Sequence, residues 1–149
     1  MAVVEHSALV AVSAEQMYEL VNDIEAYPQF LPWCKAATVT ERSEVLVIAS
    51  LELAKGSIGK LFTTRNTLSF PNKMVMELVD GPFKHFIGEW TFTNLDAQAC
   101  RVNFSLDFAF KNKFMGLALQ PLVDHISNTI VDLFVERAHV KYSYASGRL

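Results

Sequence analysis

The chain has 149 residues, a length that suits one domain, and it carries a net charge of −3 with a pI of about 5.8. This acidic balance excludes a domain whose whole surface engages nucleic acid, because such a domain is expected to have a pI above about 9. Hydrophobic residues make up 51% of the chain, and its 11 phenylalanines suit either an ordinary core or a cavity that an apolar ligand completes.

The first elements predicted are a strand and a capped helix. Residues 3–12 are rich in β-branched side chains and predict a strand that stops at Ser13. Ser13 stands three residues before Gln16, the spacing of a capping box, so a helix is expected over residues 14–23. Pro28 and Pro32 prevent a simple continuation of that helix, because proline lacks an N–H and restricts the residue before it. Residues 27–33 are therefore expected to form a short helical turn and an extended piece.

The middle of the chain predicts strands joined by short turns, over residues 35–42, 45–53, 58–70, 74–80, 86–93 and 100–110. Turn signals at 71–72, 81–82 and 94–96 have hairpin length, which indicates an antiparallel meander instead of β–α–β crossovers. Every second residue of the last strand is apolar: Cys100, Val102, Phe104, Leu106, Phe108 and Phe110. One face of this sheet should therefore be buried and the other exposed to solvent.

After Lys111 the apolar period changes to that of a helix. The apolar positions form one broad stripe: Leu119, Leu122, Val123, Ile126, Ile130, Leu133, Phe134 and Ala138. The opposite side carries Asp124, Asn128, Asp132 and Glu136. Pro121 is expected either in the first turn of this helix or at a kink in a longer one, and residues 113–120 could form a separate helical turn.

These elements predict an α+β fold in which a curved, seven-stranded antiparallel sheet wraps around the C-terminal helix. The apolar face of the sheet needs a cover, and the long amphipathic helix is the only predicted element large enough to provide it. A bent sheet around one helix leaves a cleft, and such clefts are common ligand sites.

Several motifs place this chain near a known family. Residues 21–34 include the run Tyr-Pro-Gln-Phe-Leu-Pro-Trp-Cys, and further agreement lies at residues 62–66, 80–83, 90–92 and 134–138. In order and spacing these motifs resemble the coenzyme Q-binding START-like family of the polyketide cyclase/dehydrase superfamily, which includes bacterial ribosome-association toxins. The resemblance spans nearly the whole chain and implies a START-like helix-grip fold with an apolar cavity.

The resemblance also implies two functions that the residues do not separate. One is binding of ubiquinone or a related isoprenoid lipid without catalysis, in support of respiratory electron transport. The other is association with the large ribosomal subunit to block subunit joining, for which an antitoxin is a candidate partner. An enzyme, as in related cyclases and aromatases, would need a polar residue set inside the cleft, whereas the inward faces of this sheet are predicted to be apolar.

The residues predicted to line the cavity are aromatic and aliphatic side chains from the Tyr-Pro run, the last two strands and the helix. They are Tyr27, Phe30, Leu31, Trp33, Phe86, Trp90, Phe92, Phe104, Phe108, Phe110, Leu122, Ile126 and Ile130. A quinone ring stacks well on aromatic side chains, and its tail needs continuous hydrocarbon surface. Taken singly, each of these residues is more often plain core, and the Tyr-Pro run could equally be a packed connection that caps the sheet.

Basic residues are the candidates for contact with ribosomal RNA or with an anionic membrane surface: Lys55, Lys60, Arg65, Arg137 and Lys141. Arg65 is expected to point outward, because an inward guanidinium would need a partner. Cations at the C-terminal end of a helix also complement its dipole, and this alone would explain why Arg137 and Lys141 stand there.

Other classes of chemistry have no motif here. The four histidines are dispersed without metal-ligand spacing, and neither a nucleophile motif nor an acid–base pair is visible, so no catalytic residue, no metal and no covalent cofactor are expected. Cys34 and Cys100 do not make a disulfide scaffold, the N-terminus lacks a basic signal region, and no membrane span is present. We therefore expect a cytoplasmic protein that is at most peripheral to the inner membrane.

Overall fold

The computed structural model describes residues 2–56 and 58–143. The elements follow the predicted order: β1 Ala2–Val10, α1 Ala14–Asn22, a 3-10 helix Ile24–Gln29, β2 Cys34–Arg42, β3 Leu46–Lys55, β4 Ile58–Ser69, β5 Lys73–Asp80, β6 Phe83–Asp96, β7 Ala99–Phe110, α2 Lys113–Ala138 and a π-helical end His139–Ser143.

The strands of the described chain form one antiparallel sheet with the order β1-β7-β6-β5-β4-β3-β2. β2 to β7 make a continuous meander, and β1 pairs with β7, so the first and second strands become the two edges. Register shifts interrupt the β2–β3, β4–β5 and β6–β7 ladders. Such irregularities bend a strand and increase its twist. The sheet is accordingly curved, and the predicted fold class is confirmed.

The helix α2 covers the concave face of the sheet. Its inward residues Leu122, Val131 and Phe134 are buried, whereas Asp124, Asn128, Asp132 and Glu136 are exposed, as the helical period predicts. Along β7 the buried residues alternate as predicted from Cys100 to Phe108. The core therefore lies between one face of the sheet and one stripe of α2.

Local signals explain where the helices begin and end. Both halves of the Ser13–Gln16 capping box are formed, which starts α1 at Ala14. Asn112 caps α2 by accepting a hydrogen bond at Oδ1 from the Met115 amide at 2.8 Å.

Some predicted boundaries differ from those of the structure. β1 stops at Val10, two residues before the predicted end, because Val12 turns into the core before α1. Residues 113–120 are not a separate turn but the start of a single helix that contains Pro121. Asn112 supplies the helix start, and packing of α2 on the sheet outweighs the hydrogen bond that Pro121 cannot donate.

Candidate ligand-binding site

A largely apolar cavity of about 90 Å³ lies between the sheet and α2. Strands β3 to β7 supply its sheet side, α2 supplies its roof, and Tyr27 and Trp33 close it from the connection between α1 and β2. Its lining is Tyr27, Trp33, Leu51, Leu53, Phe62, Met76, Phe83, Phe86, Trp90, Phe104, Leu106, Val123, Ile126, Ser127 and Ile130.

The two aromatic side chains that close the cavity are held by hydrogen bonds. Trp33 donates from Nε1 to Oγ1 of Thr129 at 3.0 Å, and the Thr129 hydroxyl donates in turn to the carbonyl of His125 at 2.8 Å. The Tyr27 hydroxyl donates to the Val21 carbonyl. Burial, followed by the neighbouring Cys34 and Asp23, raises the pKa of Tyr27 well above its ordinary value. Tyr27 is therefore a neutral, fixed wall of the cavity.

Ser127 is the polar exception in this lining. Its side chain is buried on α2, and its Oγ has no hydrogen-bond partner among the described residues. Tyr27 and Trp33 already use their polar atoms, so the Ser127 hydroxyl is free to bind a guest. A buried hydroxyl without a partner costs free energy that a ligand carbonyl or hydroxyl would recover.

A second, narrower space of about 20 Å³ adjoins the main cavity. The two share Leu53, Phe62, Phe83, Val123 and Ile126. Lys60, Pro82, Leu119 and Leu122 line the narrower space on the side away from the main cavity. This space lies beside the N-terminal half of α2, next to the exposed Lys60.

The structure brings part of the predicted lining together. Seven of the predicted residues surround the cavity: Tyr27, Trp33, Phe86, Trp90, Phe104, Ile126 and Ile130. Leu122 lines the narrow space instead. A cavity therefore lies between the sheet and α2, with part of the predicted lining around it, and ligand binding there stays a prediction.

The remaining predicted lining residues lie elsewhere, and their placement corrects the sequence-based assignment. Leu31 is in the core, and Phe92 stacks behind Trp90 at a ring distance of 6.2 Å, so neither reaches the cavity. Phe30 packs on Phe134 and Tyr27 near the end of α2. Phe108 and Phe110 line an open groove on the outer side of the α2 start. The period of a strand selects the face a side chain is on, but only its position along the strand decides whether it meets a cavity.

Other lining residues were not predicted: Leu51, Leu53, Phe62, Met76, Phe83, Leu106, Val123 and Ser127. Leu106 and Val123 belong to the apolar stripes recognised in the sequence, so the signal for them was present. Ser127 interrupts the α2 stripe between Ile126 and Ile130, and a polar residue at such a position was a usable signal.

The inner face of the sheet is less apolar than predicted. Thr64 and Asn66 of β4 are both buried, and the Thr64 hydroxyl donates to Oδ1 of Asn66 at 2.8 Å. This pair satisfies part of its own hydrogen-bonding capacity, and neither residue lines the cavity.

The predicted basic contact residues lie in three separate places. Lys55 and Lys60 are exposed on the β3–β4 hairpin. Arg65 is exposed on the outer face of β4, opposite Glu77 of β5, which agrees with the outward orientation favoured by the sequence. Arg137 lies 5.2 Å from the Phe30 ring and donates to Gln29, and Lys141 follows one turn later. These cations do not form one continuous surface.

Three further observations concern the described residues outside the cavity. No group of three or more potential metal ligands occurs within residues 2–56 and 58–143. Burial raises the pKa of the Cys34 and Cys100 thiols to about 11, and both cysteines are free. None of the described helices is long and apolar enough to cross a membrane.

A curved sheet that grips one long helix around an apolar cavity defines the START-like class of binding folds. The chain belongs to the family described as polyketide cyclase/dehydrase and lipid transport, whose pattern matches residues 10–135. This confirms the family resemblance found in the sequence motifs.

Comparisons with individual proteins agree with that family. The chain is 45% identical over 140 residues to the ribosome association toxin RatA of Escherichia coli K12, covering 94% of this chain and 89% of that protein. It is 26% identical over 132 residues to the mitochondrial coenzyme Q-binding protein COQ10 of Drosophila melanogaster, covering 86% of this chain and 54% of that protein. The crystal structure of the Zhui aromatase/cyclase from Streptomyces superposes with a TM-score of 0.83 over 95% of this chain and 97% of that one, at 19% identity. The last likeness concerns the fold alone.

Proposed function

We propose that this protein is a non-catalytic binding protein for an isoprenoid quinone, such as ubiquinone, or a lipid of similar chemistry. The observation that carries the proposal is the unpartnered hydroxyl of Ser127 in an otherwise apolar cavity. A quinone offers a carbonyl to accept that hydrogen bond and a flat ring that stacks on Trp90 or Phe104. Its isoprenoid tail would follow the narrow space towards Lys60 and Leu119.

The cavity has to widen before it takes such a ligand. An apolar cavity of about 150 Å³ holds benzene, whereas this one measures about 90 Å³. Met76 of β5 is the side chain best suited to move, because methionine is unbranched and adapts its shape at low cost. Binding would therefore displace Met76 and extend the cavity into the narrow space.

The relatives support a lipid ligand. The family description includes lipid transport, and the Drosophila relative is named as a coenzyme Q-binding protein. If this chain binds the same class of molecule, a role as carrier or chaperone for respiratory electron transport follows.

The lining favours binding over catalysis. Acid–base chemistry needs a group that exchanges a proton near neutral pH, but the raised pKa of Tyr27 keeps its phenol protonated. The lining residues include neither a carboxylate nor a histidine, and the Trp33 indole N–H is already bonded to Thr129. We therefore extend the proposal to the absence of an enzymatic reaction in this cavity.

The direct test begins with the protein purified from a respiring bacterial host, followed by solvent extraction and mass spectrometry of bound lipid. In a second step, a short-chain ubiquinone is titrated into delipidated protein while tryptophan fluorescence is recorded. Trp33 and Trp90 both line the cavity, so a bound quinone should quench their emission. No co-purifying lipid together with no saturable quenching would overturn the proposal.

A glycine pair provides a matched control for the site of binding. A Cβ at Gly88 would lie 2.5 Å from the terminal methyl of Met76, so Gly88→Ala restricts the side chain that has to move. A Cβ at Gly59 meets only the Leu53 carbonyl oxygen, at an ordinary 3.7 Å. We expect G88A to weaken quinone binding at least about tenfold and G59A to leave it unchanged. Equal affinity in the two variants would place the ligand outside this cavity.

A second candidate function is association with the large ribosomal subunit. The observation in its favour is the 45% identity to proteins named as ribosome association toxins. The exposed Lys55, Lys60 and Arg65 are the candidate contacts, whereas Arg137 is partly engaged with Phe30 and Gln29. An antitoxin partner remains a prediction of this candidate function.

Sucrose-gradient profiles after overexpression test this second candidate. Blocked subunit joining would raise free subunits at the expense of monosomes, and the triple variant K55Q/K60Q/R65Q should restore the normal ratio. If overexpression of the unmodified protein left the gradient profile unchanged, association with the large ribosomal subunit would be excluded as its function. The lipid and ribosome proposals fail independently, because one is measured on purified protein and the other on ribosomes.

A further inference from the structure

The start of α2 carries an exposed apolar ridge. Phe114 and Leu117 are 79% and 81% exposed, and Ala118 and Pro121 on the same helix face are exposed as well. Their spacing of three and four residues puts these four side chains next to one another on the helix surface. We call them the tip ridge. A surface that contacts only water rarely exposes large apolar side chains in such a cluster.

Lysine side chains border the tip ridge. Lys84 from β6, together with Lys111 and Lys113 from the α2 start, lines one open groove of about 890 Å³ that Leu117 and Pro121 also line. All three lysines are exposed, and none forms an ion pair within the described parts of the chain. The groove contains one carboxylate, Asp124, which accepts a hydrogen bond from Gln120 at 2.8 Å. This end is therefore locally basic in a protein whose net charge is −3.

The narrow space beside the cavity lies at the same end of the molecule. The narrow space beside the cavity ends at Lys60, Pro82 and Leu119, and Leu119 is two residues from Leu117 on α2. The Pro82 carbonyl accepts a hydrogen bond from the Lys111 amide at 3.0 Å, which joins the β5–β6 turn to the α2 start. The tip ridge, the three lysines and the outer end of the narrow space thus lie at one end of the molecule, which we call the tip.

We propose that this tip docks on a lipid bilayer whose surface carries anionic headgroups. A helix with apolar side chains beside lysines lies in the plane of such an interface, with the apolar groups at the acyl boundary and the ammonium groups among the headgroups. A phosphate backbone of RNA would pair with the lysines but leave Phe114 and Leu117 in water. The combination of the two features therefore favours the membrane. This inference rests on the exposed surface and holds whether or not the cavity binds a quinone.

Vesicle co-sedimentation tests the proposal with phosphatidylcholine vesicles that contain either no anionic lipid or about one third phosphatidylglycerol. We expect the protein to sediment with the anionic vesicles and largely not with the neutral ones. F114S/L117S should weaken this binding by at least about tenfold, because both side chains enter the interface. K84Q/K111Q should weaken it by about fivefold for each lysine removed.

The control variants make the same chemical changes at the opposite end of the molecule. Leu95, which is 53% exposed, and Arg101 lie near the β6–β7 turn, far along the strands from the tip. L95S and R101Q should bind anionic vesicles as the unmodified protein does. Thermal unfolding checks that every variant is folded, and the exposure of the replaced side chains predicts that all of them are.

A tryptophan introduced into the tip ridge provides a second measurement. Trp33 and Trp90 are buried, so emission from an F114W variant reports on the tip alone once the emission of the unmodified protein is subtracted. A shift of this emission to shorter wavelength with anionic vesicles supports the proposal. Failure of the protein to prefer anionic over neutral vesicles would overturn it, as would equal vesicle binding by F114S/L117S and L95S. If those two substitutions instead abolished ribosomal-subunit binding in the absence of vesicle binding, the tip would be a ribosomal contact and the membrane proposal would be wrong.

Discussion

The hydroxyl of Ser127 costs the folded protein free energy, because it is buried in an apolar lining without a partner. The hydroxyls of Tyr27 and Thr129 nearby are each bonded to a backbone carbonyl. A side chain that weakens the fold in this way is a candidate for ligand contact, since binding would recover the lost hydrogen bond. Stability and binding should therefore respond to its replacement in opposite directions.

Replacing Ser127 by alanine tests this opposition. We expect S127A to raise the free energy of unfolding by up to about 1 kcal/mol, because the desolvated hydroxyl is removed. The affinity for a short-chain ubiquinone should fall by about tenfold, because the ligand carbonyl loses its donor. Urea denaturation and fluorescence quenching measure the two quantities. A loss of stability with unchanged affinity would show that Ser127 is purely structural.

The cysteine thiols give a pH-dependent prediction at the same scale. Burial raises the pKa of Cys34 and Cys100 from 9.0 to about 11 in the folded protein. The unfolded chain therefore releases these protons first, and stability should be unaffected below about pH 9 and fall as the pH rises towards 11. Equilibrium unfolding over this pH range measures the effect.

The raised pKa of Cys34 and Cys100 also predicts that their thiols react slowly in the folded protein. The thiolate is the reactive form, so native protein at pH 8 should react slowly with a thiol reagent, and unfolded protein quickly. Rapid labelling of both cysteines in folded protein would contradict the burial of these groups.

At the scale of elements, one hydrogen bond ties the connection before β2 to α2. Trp33 donates to Thr129, which lies midway along the helix that covers the sheet. This contact holds Trp33 as a wall of the cavity and fixes the helix relative to the connection. Part of the Tyr-Pro run thus lines the cavity and part is plain core, because Tyr27 and Trp33 belong to the lining and Leu31 belongs to the core.

Replacing Thr129 by valine keeps the shape of the side chain but removes the acceptor. We expect T129V to lower the free energy of unfolding by about 1–3 kcal/mol, because the buried indole N–H of Trp33 loses its partner. T40V is the matched control, since Thr40 is exposed on β2 and bonds only to Ile48. T40V should change the free energy of unfolding by no more than about 0.5 kcal/mol. Similar losses of unfolding free energy in T129V and T40V would mean that the hydrogen bond from Trp33 to Thr129 adds little to stability.

At the scale of the whole molecule, a ligand bound between sheet and helix would stabilise the fold. A ligand present at about 100 times its dissociation constant adds about 2.7 kcal/mol. For a domain of this length, each kcal/mol corresponds to roughly 2–4 °C in Tm. A short-chain ubiquinone at that concentration should therefore raise Tm by about 5–10 °C, as measured by calorimetry. The same concentration should shift the Tm of G88A by about half as much or less, and an equal shift in both would argue for binding outside the cavity.

The sequence by itself determined the class of fold. Alternation along β7, the helical stripe of α2 and the short turn signals are local patterns, and local patterns dictate which face of an element is buried. The Ser13 capping box and the antiparallel meander were predictable for the same reason. Part of the cavity lining followed as well, because Trp90, Phe104 and Ile126 lie on the inward faces of long elements.

Only the tertiary structure decided which inward residues meet open space and which meet other side chains. Phe92 and Trp90 share a face of β6, yet one is packed behind the other. The sequence marks Ser127 as a polar break in the α2 stripe, but only the structure shows that its hydroxyl is buried and has no partner among the described residues. The grouping of Lys84 with Lys111, Lys113 and the tip ridge joins residues that are distant in sequence. Such properties depend on distances between elements, which are set by the packing of α2 on the curved sheet and are not encoded in the period of any one segment.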